Sequence, residues 1–143
     1  MKQSPNKRNR LPKVLWIDNN PVIQQAIEML VQANDIPVDL TLVDNNDDAL
    51  RVLKDRRRRP DLLVQNVWRP EGRCLEGHPA AKDGSRSGIA FHQFVRQYRP
   101  LLPCLFFTMD ARKRDVGAAV VRMPRCQLVS KAAGPGGLMR AVN

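Results

Sequence analysis

KVLWID (13–18) is a short apolar run that ends at Asp18, with Asn19 beside it. DLLVQN (61–66) ends at Asn66, PCLFFT (103–108) ends at Thr108, and CQLVS (126–130) is followed by Lys131. One carboxylate, two amides, a hydroxyl and an ammonium are thus the groups that could share chemistry. Phosphoryl transfer asks such a set for an anionic oxygen nucleophile and a divalent cation that neutralises the phosphoryl oxygens. Magnesium in sites of that kind is held by carboxylates and water. Asp18 is the single carboxylate of the set. Asn19 and Asn66 offer neutral carbonyls, and an amide is not a competent nucleophile for making an acyl phosphate. No pairing of a general base with a nucleophile can be nominated, so a small enzyme is the least favoured reading.

The elements that would position these residues follow from periodicity. After the first strand, Asn20 can cap a helix with Pro21 at its first position, and Ile23, Ala26, Ile27, Leu30 and Val31 recur at helical spacing. PVDLTLVD (37–44) alternates as a strand. NNDDALRVLKDRRRR (45–59) reads as a second helix that buries Ala49, Leu50 and Leu53, with Pro60 stopping it. DLLVQN is the third strand. IAFHQFVRQY (89–98) is helical, with Phe91, Phe94, Val95 and Tyr98 on one face. PCLFFT is the fourth strand, residues 110–122 form a helix capped by Asp110, and CQLVS is the fifth strand. The short GPGGLMRAVN tail starts a last helix. Five strand–helix alternations predict an α/β fold, a doubly wound five-stranded parallel sheet with helices on both faces. Ligands of such sheets bind at the C-terminal edge of the strands, where all five polar residues should converge.

Domain organisation is simple. Residues 1–12 are a basic lead-in, expected to be disordered, and residues 13–143 form one domain. Between the third strand and the following helix, about residues 71–87, lies an aperiodic insert rich in Gly, Pro and charge. It is expected to be mobile or to close over the strand ends, with little apolar surface to bury, so that deleting it costs little stability.

Together these residues resemble the receiver (response-regulator) domain of two-component signalling, over roughly residues 12–143. Family receivers place an acidic pair where Asp18-Asn19 stands, the phosphoacceptor aspartate where Asn66 stands, and a proline four residues on, matched by Pro70. A Thr or Ser follows the fourth strand, matched by Thr108, and a lysine the fifth, matched by Lys131. The resemblance implies the flavodoxin-like (βα)5 fold and a place in a bacterial phosphorelay. The departures imply a pseudo-receiver. The acceptor is an amide, the acidic pair keeps one carboxylate, the usual small residue after the Thr is Met109, and the usual aromatic switch three before the lysine is Leu128. Asp18, Asn19, Asn66, Thr108 and Lys131 would then form a vestigial phosphorylation pocket. A polar network centred on Lys131, with no catalytic residue, no cofactor and a degraded Mg2+ site, would hold it in one state. An engineered Asp-to-Asn change in an active receiver is the alternative for Asn66, but it does not account for Asn19, Met109 and Leu128.

Composition bears on partners. The chain has 143 residues, of which 43% are hydrophobic, and 24 Lys+Arg against 14 Asp+Glu give a net charge of +10. No apolar run is long enough to span a bilayer, so no membrane partner is expected. Cys74, Cys104 and Cys126 contain no CxxC pair. They fit a reducing cytoplasm and do not point to metal or redox chemistry. His78 and His92 read as solvated rather than as ligands. Receivers communicate through the face made by the fourth helix, fifth strand and fifth helix. Here it would carry Arg112, Lys113, Arg114 and Arg122, the first three being cations in the helix's first turn, against its dipole. The expected partner is a signalling protein, an attached effector domain or a second copy across that face. Trp68 is either a partner-facing anchor or buried under the insert. Basic nucleic-acid binding is the second choice, since no reading motif or stacking platform is present. The Arg56–Arg59 run reads as the exposed end of a helix.

Overall fold

A computed structural model of the chain describes residues 10–66, 69–70, 72–76, 87–108 and 126–130. The elements are β1 (Lys13–Ile17), α1 (Pro21–Ala33), β2 (Asp39–Val43), α2 (Asn46–Lys54), a 3-10 turn (Arg56–Arg58), β3 (Leu62–Gln65), α3 (Ser87–Tyr98), β4 (Cys104–Thr108) and β5 (Cys126–Ser130). The five strands form one sheet in the order β2-β1-β3-β4-β5. Every pairing is parallel. The sheet and its order are those expected for a doubly wound chain. The helices expected after β4 and β5 lie outside the described residues.

Alternation along the central strands separates the two faces. Val14, Trp16, Val64 and Leu105 pack with Ile27, Ile23 and Val31 of α1. Leu15, Ile17, Leu63, Cys104 and Phe106 pack with Ala49, Val52 and Leu53 of α2 and with Ile89, Ala90, Phe91 and Val95 of α3. β1 and β3 are apolar on both sides because helices cover both, as parallel sheets require. Burying one such Leu or Phe removes enough apolar surface to contribute about 1.5–3 kcal/mol. β2 is an edge strand, and its side chains are half-exposed rather than alternating cleanly.

Several expectations change. The second helix ends at Lys54, not Arg59, because Asp55 leaves the helical conformation and caps the 3-10 turn through the Arg57 N–H at 2.9 Å. Arg56 to Arg59 are all exposed. Ala26 is exposed, and of the α1 residues only Ile27 is fully buried. On α3 the buried face is Ile89, Ala90, Phe91, His92 and Val95, whereas Tyr98 is exposed beneath the Lys54 ammonium, 5.5 Å from its ring centre. His92, expected to be solvated, is 1% exposed and meets Phe106 edge to face at 5.6 Å. Helical spacing marks a stripe, but the tilt of the helix on the sheet selects which edge of the stripe is covered.

The insert is not all surface. Leu75 is fully buried in the α2–α3 core, with Cys74 packed against it. Gly72 turns the chain at φ +68°, where a Cβ would meet the Asp47 carboxylate at 2.8 Å. The N–H groups of Arg73 and Cys74 then donate to that carboxylate, both at 2.9 Å. These bonds, Arg73 foremost, hold the Asp47 carboxyl below the usual range. The expectation that residues 71–87 bury little apolar surface is therefore overturned at Leu75. His78 lies outside the described residues.

Candidate functional site

The chain passes from β1 outward to β2 and returns to β3 on the other side, so β1 and β3 flank the switch point where ligands of such sheets bind. Their C-terminal ends carry Asp18, Asn19 and Asn66. The ladder runs one residue past the strands: the Asp18 N–H donates to the Val43 carbonyl at 3.1 Å and the Asn66 N–H to the Ile17 carbonyl at 3.2 Å. This register brings the residues expected to share a site to one edge.

Asp18 is fully buried. Its Oδ1 accepts the Asn20 N–H at 3.0 Å, while Asn20 caps α1 by accepting from Val22. Gln24 Nε2 donates to the Asp18 carbonyl at 2.8 Å, tying the first turn of α1 to the end of β1. Across the switch point, Asn66 Nδ2 donates to Asn19 Oδ1 at 2.9 Å. This bond orients the Asn66 amide, with its nitrogen toward Asn19 and its oxygen toward the chain that follows.

That following chain supplies a residue the sequence reading missed. Arg69 folds back beneath the strand ends and is fully buried. Its Nη1 donates to the Asn66 carbonyl at 2.7 Å and to Asn66 Oδ1 at 3.3 Å. Its Nη2 donates to Gln65 Oε1 at 2.7 Å, and its Nε donates to Asn46 Oδ1. The guanidinium also lies over the Phe91 ring, 5.3 Å from its centre. Asn46 Nδ2 closes the cluster onto the Pro70 carbonyl at 3.3 Å. These partners are neutral amides, so the charge is dispersed by hydrogen bonds instead of being paired. Burial pulls the guanidinium down to about 9, with Cys104, Asp18 and Cys74 acting in the other direction. It stays protonated at neutral pH.

Two signals could have found this cluster. Gln65 places an amide in an otherwise apolar strand, and Asn46 stands just inside a helix already capped by Asn45. Both are fully buried. A buried amide pair needs a donor-rich partner, and Arg69 is the nearby residue with a fork of donors.

Thr108 closes β4 at the same edge, paired in register with Ser130. Lys131, Trp68, Met109, Arg112, Lys113, Arg114 and Arg122 lie outside the described residues, as does Asp110. The expected Lys131-centred network is thus not described. Among the described residues the polar network at this edge is centred on Arg69.

The fold is similar to that of solved response-regulator receiver domains. The signal receiver domain of an HD domain-containing protein from Pseudomonas fluorescens Pf-5 matches at 21% identity with a TM-score of 0.71, over 93% of this chain and 92% of that one. The chemotaxis response regulator CheY4 of Vibrio cholerae matches at 18% identity and 0.68, over 93% and 97%. The isolated REC domain of RcsB from Salmonella enterica serovar Typhimurium, in the presence of phosphomimetic BeF3−, matches at 17% and 0.70, over 93% and 86%. The chain matches no protein-family model and no curated protein. Among the described residues no helix is long and apolar enough to cross a membrane.

Proposed function

We propose that the chain is an atypical receiver domain, a non-enzymatic protein-interaction module in signal transduction whose state does not depend on phosphorylation. The observation that carries this reading is the buried Arg69 guanidinium bonded to both oxygens of Asn66. The acceptor position holds a non-nucleophilic amide. Its carbonyl is engaged by Arg69, and the Asn19 carbonyl is engaged by Asn66. A dication coordinated there would have to displace both bonds beside a fixed positive charge. Asp18 is left as the one carboxylate, so no Mg2+ site of receiver strength is expected.

Incubation with acetyl phosphate and Mg2+ should leave the intact mass unchanged. A gain of one phosphoryl group, labile to mild base, would refute the proposal. Calorimetric titration with Mg2+ should find little binding to the wild type or to Asn66→Asp, and clear binding only to Asn19→Asp/Asn66→Asp. If the single variant binds as tightly as the double, the missing acidic pair is not the reason.

The output is proposed to be contact with a signalling protein or an attached effector domain, through the face that would carry Arg112, Lys113, Arg114 and Arg122, with Trp68 as an anchor. Self-association across that face is the homodimer form of the same proposal.

One observation favours nucleic acid as the second reading. Lys54, Arg56, Arg59 and Arg99 line one cleft with Tyr98 and a single carboxylate, Asp55, at the end of the sheet away from Asn66. Burial and the neighbouring Arg59 both lower the Arg99 guanidinium, burial more. Retention on DNA that falls steeply with salt would favour this reading over the protein module.

A further inference from the structure

His92, Cys104 and Cys126 come from three different elements and have no spacing that marks a ligand motif. In the fold they meet. Cys104 opens β4 and Cys126 opens β5, and the two are register partners in adjacent parallel strands. His92 reaches the same spot from α3, with its Nε2 3.2 Å from Cys126 Sγ. The imidazole nitrogen and the two sulfurs all lie within 4.8 Å of one another.

We propose that these three side chains form a binding site for a thiophilic d10 cation, with Zn2+ as the type. Tetrahedral zinc bonds sulfur at about 2.3 Å and imidazole nitrogen at about 2.0–2.1 Å, which sets its ligand atoms roughly 3.5–3.8 Å apart. The trio needs only small side-chain rotations to reach that spacing. Two soft sulfurs and an imidazole select zinc-like ions over Mg2+ or Ca2+, which take oxygen. His92 and Cys104 are each 1% exposed, while Cys126 is half-buried and leaves a route in. Three protein ligands leave a fourth position for water or an added donor.

The surroundings suit metal-bound thiolates. Gln65 Nε2 donates to Cys104 Sγ at 3.4 Å, and Arg96 Nη2 lies 3.5 Å from Cys126 Sγ. Donors of this kind support ligating sulfur from outside the coordination sphere. The Gln65 amide also accepts from Arg69. One side chain therefore joins the proposed metal site to the network around Asn66, and a thiolate accepts a stronger hydrogen bond than a thiol does. This site stands on its own geometry and does not require the reading of Asn66 given above.

The test is a Co2+ titration of the whole chain, kept reduced with a non-coordinating phosphine. One equivalent should give sulfur-to-cobalt charge-transfer absorption and the visible bands of a tetrahedral site, and Zn2+ should displace it. Zn2+ should also raise the thermal midpoint. Cys126→Ser is conservative and half-buried. It should abolish the absorption and the shift while its circular dichroism stays that of the wild type. Cys74→Ser, outside the trio, should keep both. Absence of cobalt absorption in the reduced wild type, or its survival unchanged in Cys126→Ser, would overturn the proposal.

Discussion

Arg69→Ala should cost the domain about 4 kcal/mol, the range expected when one member of a fully buried charged network is removed. The substitution removes the donors from four acceptors, Asn46 Oδ1, Gln65 Oε1, the Asn66 carbonyl and Asn66 Oδ1, and empties the space over Phe91. Each buried hydrogen bond lost in this way costs on the order of 1–3 kcal/mol. Removal of a desolvated cation offsets part of that sum. Small domains have only about 5–15 kcal/mol in total, so the variant should sit close to unfolding. Arg69→Met separates the causes. It refills the volume without donors and should lose roughly half as much, since filling the cavity recovers the packing part alone. Urea denaturation at neutral pH measures both. A loss under about 1 kcal/mol for Arg69→Ala would place the guanidinium at the level of an ordinary exposed ion pair and remove the basis for a fixed internal charge.

Leu75→Ala should destabilise by about 3 kcal/mol, within the span seen when a buried leucine is truncated and the cavity only partly collapses. Leu75 is fully buried among residues of α2 and α3, although it belongs to the insert. The turn at Gly72 and the two N–H bonds to Asp47 hold it there. Deleting the whole of residues 71–87 should then cost at least as much, contrary to what Gly, Pro and charge content imply. Urea denaturation reads the truncation as a lower midpoint with an unchanged slope. If Leu75→Ala leaves the midpoint where it was, the segment contributes no core, and the estimate from composition stands.

The sequence by itself determined the architecture. Short apolar runs alternating with helical spacing leave a parallel sheet with covered faces as the way to bury both sides of β1 and β3. Register then carries Asp18, Asn19 and Asn66 to one edge, so these site positions were legible as strand ends. That position 66 carries an amide and not a carboxylate was legible too, since residue type is read directly from the chain. Boundaries and faces were less so. Asp55 could have continued a helix as easily as capped a turn, and the coverage of α3 depends on how it lies on the sheet.

Only the tertiary structure decided which distant groups meet. Arg69 reads as one more surface cation in a chain of net charge +10. It is buried because Asn46, Gln65 and Asn66, from two separate elements, present oxygens at the spacing of a guanidinium fork. Cys104, Cys126 and His92 have no local motif, and their meeting rests on strand register and on the placement of one helix. Local periodicity reports which surface a residue must hide. Partner identity depends on long-range register and helix placement, which no short window of sequence contains.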